Sequence, residues 1–277
     1  MFKVILAPVD GSEYDVSIGD YAEFIHESWN SEVIALHVVD IIALEGPFFH
    51  DLSGAMGMEP LVNLTGKMKE LLEEQGRMIL ENFCEKMKKS GITCQSFLDS
   101  GIVSNRIVEK AKLADLIIMG KRGIHSKYER DQIGSTTEGV LRKTPTSLLI
   151  VPEKFREIKK PLLAYDGSKV ARRAMELAAH FSEKLSLPLG VVTVASPSKA
   201  DRIMEEVEIY MKPFSIDVEY IKLEGSPHHE IEQLVKKEGF DMLVLGAVGH
   251  HFLIEMIVGS TAMYLLRNLD VPFLVSR

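Results

Sequence analysis

The feature that most limits how this chain can fold is an internal repeat. Leu6-Ala7-Pro8-Val9-Asp10-Gly11-Ser12 returns as Leu162-Leu163-Ala164-Tyr165-Asp166-Gly167-Ser168. Asp115-Leu116-Ile117-Ile118-Met119-Gly120 returns as Asp241-Met242-Leu243-Val244-Leu245-Gly246. Gly134-Ser135-Thr136 with Val140-Leu141-Arg142 returns as Gly259-Ser260-Thr261 with Leu265-Leu266-Arg267, and each half closes on a short apolar run. Landmarks recurring in the same order mean a duplicated unit. The expected domains are 1–152 and 161–277, joined by a short charged linker ending at Pro161.

Each half alternates apolar runs with helical stretches. Strands are expected at 4–9, 33–39, 93–98, 116–119 and 148–151, then near 161–165, 189–194, 216–222, 242–245 and 273–275. Continuously apolar strands joined by helices predict an α/β fold with parallel pairing, both sheet faces covered and right-handed crossovers. Each half should therefore be a three-layer αβα, Rossmann-like domain with a five-stranded parallel sheet. Between Asp10 and Gly120 lie about 30 residues more than between Asp166 and Gly246, and the surplus falls at 41–65. That insertion reads as a flap, a partner contact or a tolerated loop.

Composition excludes several classes. A net charge of −8 argues against a nucleic-acid surface, which needs a basic stripe. No apolar run reaches the roughly 20 residues that span a bilayer, so no membrane segment is expected. The N-terminal apolar run is too short for a signal peptide, and a cytoplasmic protein is expected. Cys84 and Cys94 suggest no metal or disulfide framework and read as reduced thiols.

Chemistry concentrates in the glycine loops. After its fourth strand the second half reads Gly246-Ala247-Val248-Gly249, nine residues, then Gly259-Ser260-Thr261. Glycines let the backbone approach a ligand, and Ser260 and Thr261 open a helix whose free amides favour an anion. The loop lies at the carboxyl end of a central parallel strand, where open α/β sheets bind ligands. The first half has Gly120-Lys121-Arg122-Gly123, ten residues, then Gly134-Ser135-Thr136, one residue more than the second. Its loop carries Lys121, Arg122, Lys127 and Arg130 against Glu129 and Asp131, net +2; the second has Glu255 with His250 and His251. Arg122 and His250 are candidate phosphate contacts. His228 and His229, at a helix start, read as terminal histidines rather than metal ligands.

This pattern resembles a tandem universal stress protein, whose signature is Gly, two residues, Gly, nine residues, Gly, then Ser or Thr. The resemblance implies an adenine nucleotide, ATP or AMP, with Mg²⁺ possible beside ATP, and a regulatory protein with at most slow ATP hydrolysis. It places ribose and phosphates on the glycine motif. It also implies that the last strands of paired units, here Leu148–Val151 and Phe273–Val275, join edge to edge within one chain as a pseudo-dimer, which removes two exposed edges, and it leaves a further homodimer of chains open. The base would lie between the Asp after the first strand and a Val of the second: Asp10 and Val38, or Asp166 and Val194. Pro8 matches the family's proline before that Asp, and Ala164 replaces it in the second half. Asp10 and Asp166 also read as helix caps, and Ser12 with Asp15 resembles a capping box with the acid shortened. Rival readings are an adenylating enzyme, whose Ser-Gly-Gly-x-Asp-Ser loop is missing here, and an interaction module that has lost nucleotide. Spacing favours the second half as the dependable site. Gly249→Val should abolish nucleotide retention by that half, measured on protein purified without added ligand; unchanged retention would make its loop purely structural.

Overall fold

The structure, a computed structural model, describes residues 1–40, 62–124, 132–246 and 259–277. The first half runs β1 (Val4–Pro8), α1 (Tyr14–Trp29), β2 (Glu32–Asp40), α2 (Val62–Lys89), β3 (Cys94–Gly101), α3 (Val103–Lys110), β4 (Leu116–Gly120), α4 (Ser135–Lys143) and β5 (Ser147–Val151). The second runs β6 (Pro161–Ala164), α5 (Lys169–Leu185), β7 (Leu189–Val194), α6 (Pro197–Met211), β8 (Val218–Leu223), α7 (Pro227–Glu238), β9 (Met242–Gly246), α8 (Ser260–Asn268) and β10 (Phe273–Ser276). Every expected strand is present. β3 extends past the expected 98 because Asp40 keeps a partner in Gly101. Residues 41–61, most of the expected insertion, lie outside the described residues.

All ten strands form one sheet in the order β3-β2-β1-β4-β5-β10-β9-β6-β7-β8. Pairing is parallel within each half and antiparallel only where β5 meets β10, with Leu148 opposite Val275, Leu149 opposite Leu274 and Ile150 opposite Phe273. Strand alternation divides the apolar residues between two layers. Ile5, Ala7, Leu116 and Ile118 face α1 and α2, while Leu6, Ile117 and Met119 face α3 and α4. Both layers continue across the two halves, so the sheet has a common core on each side. On the first side Trp29 of α1 stacks on Phe181 of α5, ring centroids 5.6 Å apart.

The linker is pinned rather than loose. Ile158 is buried, Phe155 packs on Tyr21, and the Tyr21 hydroxyl donates to Arg156 O at 3.0 Å. Burial pushes the Tyr21 phenol up to about 12, so it remains a donor at any physiological pH.

The cysteine expectation is corrected. Cys84 on α2 and Cys94 at the start of β3 are joined as a disulfide, their Cα atoms 5.4 Å apart. A helix that docks on its neighbouring strand within a turn brings the two side chains together, which their separation of 10 residues alone does not reveal. Closing so short a loop stabilises by about 3 kcal/mol in the chain-entropy account, or roughly 5–10 °C in Tm for a chain of this size. Cys84→Ser should show that drop in calorimetry. Wild type in reductant should match the variant, whose own Tm should ignore reductant; a wild type equally indifferent would show that the bridge contributes nothing.

Candidate functional site

The first-half cavity opens where β1 parts from its two neighbours, β2 and β4. In doubly wound sheets this switch point leaves a crevice at the carboxyl ends of the strands. The cavity is about 150 Å³. Leu36, Val38, Ile107 and Met119 make an apolar wall, and Ser12, Arg122, Ser135 and Thr136 a polar one. Nine positions singled out in the first half, Pro8, Asp10, Val38, Gly120, Arg122, Gly123, Gly134, Ser135 and Thr136, line this one space. The extra residue between Gly123 and Gly134 does not carry Gly134, Ser135 or Thr136 away from it.

The loop after β1 is built around two carboxylates. Gly11 takes φ +84°, a conformation that suits a residue without Cβ. Asp10 Oδ1 accepts the Ser12 N–H at 3.0 Å, and Oδ2 accepts the Ile124 N–H at 2.9 Å across the cavity mouth. Gly123 faces that carboxylate so closely that a Cβ there would collide with Oδ2. Asp15, on the first turn of α1, accepts the N–H groups of Asp10 (3.2 Å) and Gly11 (2.8 Å). Neither Asp10 nor Asp166 caps a helix. Asp166 accepts the Ser168 N–H at 2.9 Å, and α5 is capped by Ser168 Oγ, which accepts from Ala171 N. Each aspartate is thus a turn former, and carboxylate oxygens retain acceptor capacity for a ligand. Ser12 Oγ is buried without a hydrogen-bond partner and lines the cavity.

The glycine loop closes the other side. Gly134 N–H donates to Lys121 O at 3.0 Å, and Thr137 Oγ1 donates to Gly120 O at 2.9 Å. These bonds seat the start of α4 against the end of β4. The amides of the first turn of α4 have no carbonyl a turn earlier to bond, and they carry the positive end of the helix dipole. Arg122 Nε donates to Gln132 O at 2.7 Å, and its guanidinium bonds the Tyr14 hydroxyl. Lys121 departs from expectation: it is 5 % exposed and its ammonium leaves the cavity altogether, donating to Leu269 O at 3.0 Å. Of the loop cations described, Arg122 alone lines the cavity; Lys127 and Arg130 lie outside the described residues.

In the second half Ala164, Val194 and Gly246 end β6, β7 and β9 along one edge of the sheet, and Asp166 is exposed on the turn after β6. Gly259 precedes α8, which Ser260 and Thr261 open. Gly249 and His250 lie outside the described residues. His228 and His229 pack on Tyr264 at centroid distances of 4.5 and 5.4 Å. Among the described residues no group of three His, Cys, Asp or Glu is placed to hold a metal, and no helix is long and apolar enough to cross a membrane.

The family model described as "Universal stress protein family" matches residues 1–152 and 204–277. The chain belongs to that family. The universal stress protein Slr1230 of Synechocystis sp. is 27% identical over 99% of this chain and 100% of its own length. The universal stress protein MJ0531 of Methanocaldococcus jannaschii is 30% identical, covering 57% of this chain and 86% of its own. A crystal structure of a universal stress protein from Archaeoglobus fulgidus superposes with a TM-score of 0.77 at 22% identity, covering 99% of this chain and 98% of that one, and so shares the fold.

Within this universal stress protein, two residues at the site were not assigned their places beforehand. Asp15 had been noticed only as a shortened capping box, and Lys121 as loop charge. The signal available was divergence between the repeats, because the equivalent positions hold Ala171 and Ala247. Burial, and then the neighbouring Asp10 charge, raise the Asp15 carboxyl to about 7. A folded-state value above the ordinary 3.8 means that stability is fully present below about pH 4 and is lost as pH rises through 7. A ¹³C carboxyl titration should therefore place Asp15 near 7, and Asp15→Asn should flatten the decline of Tm between pH 4 and 8. A midpoint near 4 would contradict this.

Proposed function

We propose that this universal stress protein binds an adenine nucleotide, ATP or AMP, in its first-half cavity and uses it as a regulatory ligand. One observation carries the reading: all nine first-half positions expected to contact a nucleotide, drawn from distant parts of the sequence, line a single cavity. The chemistry of the walls supports it. Leu36, Val38, Ile107 and Met119 suit the faces of a base, and Arg122, the Gly123 backbone and the first turn of α4 suit phosphate. At about 150 Å³ the cavity is smaller than pockets that engulf a whole drug-sized ligand, so it takes the base and leaves the ribose and phosphates along the glycine loop. Mg²⁺, where ATP is the ligand, arrives on those phosphates. The buried Ser12 hydroxyl gains a partner when the site fills.

Regulation rather than turnover is supported by the lining residues. Among the described ones, no serine or threonine hydroxyl is held by a neighbouring base, and both Asp10 oxygens accept backbone N–H groups. The reading extends to 161–277 as a second domain, whose site would use Asp166, Val194, Gly246, Gly249, Gly259, Ser260 and Thr261. The two domains then act as a pseudo-dimer.

Protein purified without added nucleotide, denatured and chromatographed, should release one adenine nucleotide per chain if only the first cavity is filled and two if both are. Gly123→Val, which drives a side chain onto Asp10, should remove the first-cavity nucleotide. At a free ligand concentration 100-fold above Kd, ATP or AMP should stabilise the wild type by about 2.7 kcal/mol. No released nucleotide, together with no Tm shift, would overturn the reading.

A further inference from the structure

Lys121 sits inside the first glycine loop yet serves the other half of the molecule. Its main chain lies between Gly120 and Arg122, which line the cavity: its N–H donates to Val151 O at 2.8 Å and its carbonyl accepts the Gly134 N–H at 3.0 Å. Its side chain runs the opposite way. The ammonium donates to Leu269 O at 3.0 Å and Arg267 O at 3.3 Å, the carbonyls at which α8 ends. The last carbonyls of a helix lack intrahelical partners and carry partial negative charge, so a cation is the complement that this end calls for. A lysine 5 % exposed is otherwise costly, and it remains there because these bonds replace its water. The Arg156–Asp270 ion pair, 3.0 Å long, ties the linker to the same turn.

The opposite end of α8 matters equally. Ser260 and Thr261, which open it, are the second half's candidate phosphate cap, so one helix of 9 residues runs from the second candidate site to Lys121. The tie has no reciprocal, since the second loop carries Ala247 where the first carries Lys121. A ligand that orders Gly120–Gly123 must act on the residue between Gly120 and Arg122, whose ammonium is fixed to the far domain.

We propose that Lys121 is a positioning residue that holds the first glycine loop in place against α8 and couples occupancy of the first cavity to the helix that opens the second site. This inference rests on the nucleotide reading above. The test compares wild type with Lys121→Met, Lys121→Arg and Gly123→Val, with and without ATP or AMP, by equilibrium binding and by hydrogen exchange of the segment 266–271. In the wild type, nucleotide should slow exchange there about five-fold, the lower range of ordinary coupling between sites. Lys121→Met should lose that slowing and bind about ten-fold more weakly at the first cavity, and Lys121→Arg should recover part of both. Gly123→Val should show no slowing, which assigns the effect to the first cavity.

Slowing that persists in Lys121→Met or in Gly123→Val overturns the inference. So does a wild type that binds nucleotide with exchange at 266–271 unchanged, and either result leaves the nucleotide reading intact. A wild type that binds neither nucleotide overturns both. Should Lys121→Met fail to fold, Lys121→Arg decides: slowing as large as in the wild type overturns the inference, and slowing only partly kept is what the tie requires.

Discussion

The structure depends on the antiparallel pairing of β5 with β10. Left apart, each half would end on an open strand edge with a row of unpaired backbone groups. Joined through Leu148–Ile150 and Phe273–Val275, the halves become one sheet with a continuous apolar layer on each face. That pairing also brings the carboxyl end of β4 beside the end of α8, so that Lys121 can reach carbonyls 146 and 148 residues along the chain. The stacking of Trp29 on Phe181 and the pinning of the linker by Tyr21 and Phe155 follow from the same closure.

The two halves repeat the Asp-Gly-Ser and Gly-Ser-Thr blocks but differ in the residues around them. The first has Asp15 within reach of the Asp10 and Gly11 amides, where the second has Ala171. The first spends a loop lysine on its neighbour, where the second has Ala247. The first loop's apparent surplus of positive charge is thereby reduced, because Lys121 neutralises a helix end rather than facing the cavity. Among the described residues, the local electrostatics of the first cavity then rest on Arg122, the dipole of α4 and the neighbouring carboxylates of Asp10 and Asp15. Burial, with the Asp10 charge beside it, raises the Asp15 carboxyl to about 7.

Much of this was legible in the residues. Apolar runs such as Leu116–Met119 and Leu148–Val151 announce strands buried on both faces, and repeated Asp-Gly-Ser and Gly-Ser-Thr blocks mark where those strands turn into helices. These are local signals, carried by neighbours a few residues apart. The disulfide was misread because Cys84 and Cys94 meet only once α2 docks on β3. Lys121 counted in the sequence only as loop charge, because nothing local to the loop says that its ammonium reaches the end of α8. The preference for the second site came from counting residues between glycines. The first loop accommodates its extra residue and still returns Gly134, Ser135 and Thr136 to the cavity.

By itself the sequence determined the repeat, the strand and helix order, the parallel arrangement within each half and the positions that gather at the first cavity. Periodicity and spacing are enough for these, because burial on two faces and short crossovers admit few alternatives. Only the tertiary structure decided which partners the polar groups take: Asp10 with Ile124, Asp15 with the amides of Asp10 and Gly11, Cys84 with Cys94, and Lys121 with the end of α8. The reason is geometric. Hydrogen bonds and burial act over a few ångströms between groups far apart in the chain, and no local pattern encodes which of them the closed sheet will bring together.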